Sequence, residues 1–126
     1  MARNPADPQY AFAQRITQMR KVVFSRTLER SSWPRTELAH GGFEEAIHAL
    51  KREQGQDILV YGGPTFASSL LAAGLIDELH IFQNPTFLGT GRPMFKDLRK
   101  PVAMQLRGAV PFDCGVVVLQ YVSQRR

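Results

Sequence analysis

The chain predicts a mixed α/β fold: a mainly parallel sheet with helical crossovers, finished by a C-terminal antiparallel hairpin. Three observations carry that reading. Apolar, β-branched runs alternate with helical periodicities as far as Asn84, the order of strand–helix–strand crossovers that favours parallel pairing. The central step runs from Asp57 to Leu71, where a short apolar run ends in Gly62-Gly63-Pro64-Thr65 before helix formers continue to Gly74. Beyond Pro101 two extended stretches flank Pro111-Phe112-Asp113-Cys114-Gly115, the pattern of a hairpin.

Residues 1–20 form a lead-in with one helix. Between Pro8 and Arg20, Phe12, Ile16 and Met19 fall at i, i+4 and i+7 beside the helix formers Ala11 and Ala13, which makes an amphipathic helix. Lys21-Val22-Val23-Phe24-Ser25 follows as a buried strand, since three consecutive apolar residues include two β-branched ones. Arg26 to Arg35 is a polar loop at the end of that strand, with Ser31, Ser32, Trp33 and Pro34, and its position suits a ligand loop. Thr36 to His40 reads as a short strand broken by Gly41-Gly42. Phe43, Ala46, Ile47 and Leu50 then give a helix to Glu53, with Gly55 as its stop.

Asp57 opens the next strand, and the helix after Pro64 has Leu70, Leu71 and Ala73 on its inner face and Gly74 as its cap. Leu75 to Asn84 returns to extended structure and stops at Pro85. Pro85 to Pro93 is a Gly/Pro-rich loop, from which Met94-Phe95 packs back onto the core. Val102 to Ala109 and Val116 to Val122 form the two hairpin strands.

Composition bounds the function classes. With 126 residues, 44% hydrophobic and 21% charged, the chain suffices for one globular domain, residues 1–126, with its own core. Eight phenylalanines, three tyrosines and one tryptophan argue against disorder. No apolar run approaches the roughly 20 residues of a membrane span, and Met1 to Pro5 lacks the apolar stretch of a signal peptide, so the expected location is the cytoplasm. A single cysteine, Cys114, excludes an internal disulfide and a cysteine-based metal cluster. His40, His48 and His80 lack metal-ligand spacing, so no metal is expected. The net charge of +5 invites an anionic partner, but the Lys and Arg residues are scattered and no nucleic-acid module is recognisable. The charge admits a nucleic acid, a phosphorylated cofactor or neither, and most of these residues read as solvated surface.

The Gly62-Gly63 turn has two readings. Glycine there permits a positive φ, in which case it serves only the βα connection. It also leaves no Cβ in the way of a ligand, next to a helix start whose unpaired N–H groups suit a phosphate. Asp77 and Glu78 are adjacent on an expected strand and so point to opposite faces, which rules out joint acid–base work. Trp33 either covers the core or lines a pocket. Nothing in the chain pairs a nucleophile with a base.

Three pieces in register resemble the dihydrofolate-reductase-like superfamily, on the branch of the reductase domain of riboflavin-biosynthesis deaminase-reductases. They are Lys21 to Leu28, then Ile58-Leu59-Val60-Tyr61-Gly62-Gly63, then Leu75 to Leu79 with Pro85-Thr86-Phe87-Leu88-Gly89-Thr90-Gly91. The resemblance implies an NADPH-dependent reductase acting on a small heterocycle, pterin- or pyrimidine-like. It assigns Ser25, Arg26 and Thr27 to the adenosine 2′-phosphate, and Tyr61, Gly62, Gly63, Pro64, Thr65 and Phe66 to the cofactor side of the turn. A guanidinium fork and a hydroxyl suit a phosphate chemically. It also raises a cis peptide between Gly62 and Gly63 as a question for the structure.

The sequence departs from the family pattern in two ways. The family's first strand, with a Ser-x-Asp-Gly pattern, and the helix after it, with a Gly-Arg-x-Thr-Tyr-like motif, have no counterpart here. Riboflavin-pathway reductases carry Glu before the Gly-Gly pair, where this chain has Tyr61, which argues against the riboflavin intermediate as substrate. The expectations are therefore an NADPH-binding reductase domain or, alternatively, a catalytically inactive, truncated relative acting as a cofactor-binding or interaction module. A missing strand would leave apolar surface and backbone uncovered, so a homodimer is expected.

Overall fold

The computed structural model describes residues 5–61, 63–96 and 98–124. Its helices are α1 (Tyr10–Gln18), α2 (Phe43–Arg52) and α3 (Pro64–Ala72), and its strands β1 (Lys21–Val23), β2 (Thr36–Leu38), β3 (Glu78–Gln83), β4 (Met104–Pro111) and β5 (Val117–Ser123). The chain divides between Glu53 and Gln54 into two compact units.

In the first unit β1 and β2 pair in parallel, Lys21 with Thr36 through Val23 with Leu38. α2 follows the expected periodicity, with Ile47 buried, while Glu44 and Glu45 at its start and Lys51 and Arg52 at its end complement the helix dipole. Arg20, just before β1, is a cross-brace. Its Nε donates to Glu37 Oε1 of β2 at 2.8 Å, and its Nη1 donates to Glu53 Oε2 beyond α2 at 2.5 Å. The hydrogen bonds to Glu53 and then Glu37 hold the guanidinium above its already high ordinary pKa. α1 forms as the spacing predicts, but no residue of it is buried, and Phe12 is 60% exposed. Of its apolar stripe Ile16 is partly covered, while Phe12 and Met19 stay exposed.

The second unit is built on a three-stranded antiparallel sheet in the order β3-β5-β4. β5 runs down the middle, Val117 to Val122 facing Gln83 to Glu78 on one side, with β4 on the other and an irregularity in register between Leu106 and Gly108. The hairpin turn closes through Phe112 N–H to Val116 O and Gly115 N–H to Phe112 O, both 2.8 Å, and Gly115 takes φ +86°. α3 ends in a Schellman motif. Gly74, at φ +69°, donates to Leu71 O at 3.1 Å, and Leu75 N–H donates to Leu70 O at 2.9 Å. The same turn buries Leu70, Leu71 and Leu75, which with Val118 make the apolar core of this unit.

Three expectations are corrected. The sheet is not mainly parallel: the parallel ladder has three residues per strand, and the longer pairings are antiparallel. Asp57 to Tyr61 is not a strand. Ile58 to Tyr61 makes no ladder with any described strand and stays exposed, Tyr61 most of all at 83%. β-propensity cannot hold a strand whose N–H and C=O groups find no partner. Met94 does not pack back onto the core; it is half exposed, and only Phe95 is partly covered.

Candidate functional site

The first cluster forms where the chain leaves β1. Ser25 Oγ accepts the backbone N–H groups of Thr27 at 3.2 Å and Leu28 at 3.0 Å, and lies 3.4 Å from Thr27 Oγ1. One side chain thus folds a tight turn at the strand end. With its oxygen accepting twice, Ser25 can direct its hydrogen to Thr27 Oγ1, which leaves the Thr27 hydroxyl hydrogen to offer to a phosphate oxygen. Arg26 stands on the outside of this turn, exposed, with no ion pair to another described residue. A guanidinium fork in that state is available for bidentate contact with a phosphate. Thr27 is exposed beside it.

The rest of the loop is tied down along its length. Ser31 Oγ accepts Trp33 N–H at 3.2 Å, Thr36 Oγ1 donates to Pro34 O at 3.1 Å, and Lys21 N–H donates to Arg35 O at 2.8 Å. Trp33 does not cover the core.

The second cluster surrounds the start of α3. Gly62 lies outside the described residues, and with it the question of a cis Gly62-Gly63 peptide; the described peptides are all trans. Gly63 is the N-cap residue at φ −68°, ψ 169°, and a Cβ placed on it would meet nothing within 4 Å. Neither backbone conformation nor crowding demands glycine at Gly63, although glycine is a better N-cap than alanine. What a bare α-carbon does allow is close approach from outside. Pro64 occupies the first turn, where its missing N–H costs nothing, and no side chain caps the helix. Thr65 is exposed, and Phe66 is partly buried.

Sequence reasoning missed one feature beside this cluster. Thr65, Ser68, Ser69 and Ala72 line one side of α3 and, with Lys96, bound a shallow cavity of about 140 Å³. Ser68, buried, donates to Pro64 O at 2.7 Å and accepts Lys96 N–H at 3.2 Å, which ties the Lys96 backbone to the helix. The i, i+3, i+4 spacing of the three hydroxyls was the available signal. The Ser25–Thr27 cluster belongs to the first unit and the Tyr61–Phe66 cluster to the second.

Among the described residues no three His, Cys, Asp or Glu side chains are grouped to hold a metal, and no helix is long and apolar enough to cross a membrane. Cys114 is free and exposed.

The mixed α/β architecture thus carries two candidate clusters, one at the end of β1 and one at the start of α3. Residues 1–118 match the RibD C-terminal domain family, and the chain belongs to that family. It is 30% identical over 102 residues to the uncharacterized protein YyaP of Bacillus subtilis, covering 81% of this chain and 54% of that protein. It is 34% identical over 103 residues to the riboflavin biosynthesis protein RibD of Corynebacterium ammoniagenes, covering 76% of this chain and 30% of that protein. The chain thus spans about half the length, or less, of these relatives. In fold it is similar to the crystal structure of a riboflavin-biosynthesis-type protein from Shewanella sp. PV-4, at a TM-score of 0.75 and 17% identity over 99% of this chain and 84% of that one.

Proposed function

We propose that this chain is an NADPH-binding reductase domain that serves hydride transfer to a small heterocycle of the pterin or pyrimidine kind. The observation that carries the reading is the turn after β1, where Ser25 is folded inward as an acceptor and Arg26 is left exposed and unpaired among the described residues. Such a turn offers a fork of donors and a hydroxyl to a dianionic phosphate, the group that distinguishes NADPH from NADH. In the second unit, taken by itself, the open face of Gly63 at the start of α3, with Tyr61, Pro64, Thr65 and Phe66 beside it, suits an anion such as a pyrophosphate.

When bound, the reduced nicotinamide supplies the hydride, and the protein contributes binding and orientation rather than acid–base chemistry. That division of labour agrees with a sequence that pairs no nucleophile with a base. Membership of the RibD C-terminal domain family supports the reductase class. The apolar surface left open on α1 and at Ile58 to Tyr61 supports a homodimer as the working form, and the cytoplasm remains the proposed location.

The test is calorimetric titration with NADPH of the wild type and Arg26→Ala. Binding that the substitution weakens by roughly tenfold or more, the worth of a charge-assisted bond, is the expected result. A wild type that takes up no NADPH would remove the cofactor reading and leave a domain acting through protein contacts.

A further inference from the structure

The Arg26–Arg35 loop holds a large aromatic ring in solvent. Trp33 is 65% exposed, and Leu28 on the same loop is 51% exposed. An indole left in water forgoes the gain of burial, and the described residues of its own unit leave most of it uncovered, so the ring is available to an outside contact. The loop is ordered at this point: Ser31 Oγ holds the Trp33 N–H, Thr36 Oγ1 holds the carbonyl of Pro34, and the Lys21 N–H holds that of Arg35. Arg35 itself sits at φ +55°, the one non-glycine positive φ among the described residues. Left-handed backbone at a bulky residue stores strain, and such strain gathers at ligand clamps. The loop is also cationic, with Arg26, Arg30 and Arg35 against Glu29 alone.

A flat aromatic surface on a positively charged loop is the arrangement that takes up a purine carrying phosphate. We infer that Trp33 is the platform on which the adenine ring of the cofactor stacks, on the same loop whose Ser25-Arg26-Thr27 turn takes the 2′-phosphate. This inference rests on the NADPH reading. It adds a base-recognition residue that chemistry at the phosphate does not require, because Arg26 alone would hold the phosphate of any 2′-phosphorylated nucleotide.

The chain's single tryptophan makes the test direct. Wild type, Trp33→Ala, Trp33→Phe and Arg26→Ala are titrated with NADPH and with adenosine 2′,5′-bisphosphate, which keeps the adenine and the 2′-phosphate and lacks the nicotinamide. Affinity is read by calorimetry, and Trp33 emission is followed in the wild type and in Arg26→Ala. Stacking predicts quenching of Trp33 emission by both ligands, a loss of roughly 5- to 150-fold for both in Trp33→Ala, and near-wild-type affinity in Trp33→Phe. Trp33→Ala binding both ligands as the wild type does, while Arg26→Ala loses affinity, overturns the platform and leaves the cofactor site standing. Absence of wild-type binding to either ligand overturns the cofactor reading and the platform with it.

Discussion

Replacing Gly63 by alanine separates a turn from a ligand site. Two small effects on stability oppose each other. At φ −68°, ψ 169° an alanine is conformationally at ease and finds nothing within 4 Å, so restricting the unfolded chain stabilises by about 0.4–1 kcal/mol. Alanine is a poorer N-cap than glycine, and that costs on the order of 0.5–1 kcal/mol. The sum lies within about 0.5 kcal/mol of zero. Binding behaves differently. If phosphate oxygens approach the bare α-carbon, a methyl group there pushes them off the helix start, and NADPH affinity falls by about tenfold or more, the value of one lost anion contact. Urea unfolding and NADPH calorimetry on the same variant read the two quantities. A destabilisation above about 1.5 kcal/mol would show that glycine is needed for the turn itself. Unchanged stability together with unchanged NADPH affinity would show that nothing approaches Gly63.

Packing sets two further outcomes. Leu70 is 2% exposed and sits under the Schellman turn of α3, so Leu70→Ala should cost about 2–5 kcal/mol in urea unfolding, more than any substitution on the exposed Ile58 to Tyr61 run. Arg20→Gln removes the cross-brace to Glu37 and Glu53, so its melting temperature should fall below that of the wild type. Because the folded pKa of Arg20 is raised, the stabilisation is present at all pH values below the group's ordinary one and is lost only as pH rises through the folded value. The difference in melting temperature between the two proteins should therefore stay constant from about pH 6 to 9 as far as Arg20 titration is concerned, and shrink with added salt because the pair is exposed.

Local chemistry was legible in the sequence wherever the determinant was itself local. The repeat of Phe43, Ala46, Ile47 and Leu50 fixed α2 to within a residue at its end, and Gly74 marked the cap of α3 because only a left-handed residue continues a Schellman motif cheaply. The antiparallel hairpin was read to within two residues of β4 and one of β5. At the candidate site, Ser25 and Arg26 are singled out by the family resemblance, with the place of Arg26 after β1 in its support. The capture of two N–H groups by the Ser25 hydroxyl, which turns Arg26 outward, is a matter of three-dimensional geometry that residue order does not reveal. Ser68 and Lys96 were missed because their bond joins residues 28 apart in sequence. The alternation that predicted a mainly parallel sheet failed for a related reason: pairing is a property of two segments, and propensity describes one.

The run Ile58-Leu59-Val60-Tyr61 has β-propensity but pairs with no described strand, and its apolar surface stays open as a result. Its side chains are 47%, 67%, 45% and 83% exposed, so covering all four in both copies of a symmetric pair would release roughly 7–15 kcal/mol. Association of two chains costs an estimated 4–15 kcal/mol in lost freedom. The run alone therefore sits close to break-even, and further apolar surface decides whether a dimer forms. Phe82 on β3 and Leu106 and Val110 on β4, at 65%, 53% and 43% exposure, provide it on the antiparallel sheet. The balance predicts weak self-association that depends on concentration, with the apolar run as one contributor among several. Light scattering coupled to size exclusion, repeated over a dilution series up to about 100 μM, should show the mass rising toward that of a dimer. Leu59→Glu should shift the rise to higher concentration without lowering the midpoint of urea unfolding, because the side chain it replaces is largely in solvent. A monodisperse monomer across the series would mean that these apolar side chains remain in water at no net advantage to association, and the homodimer would have to be given up.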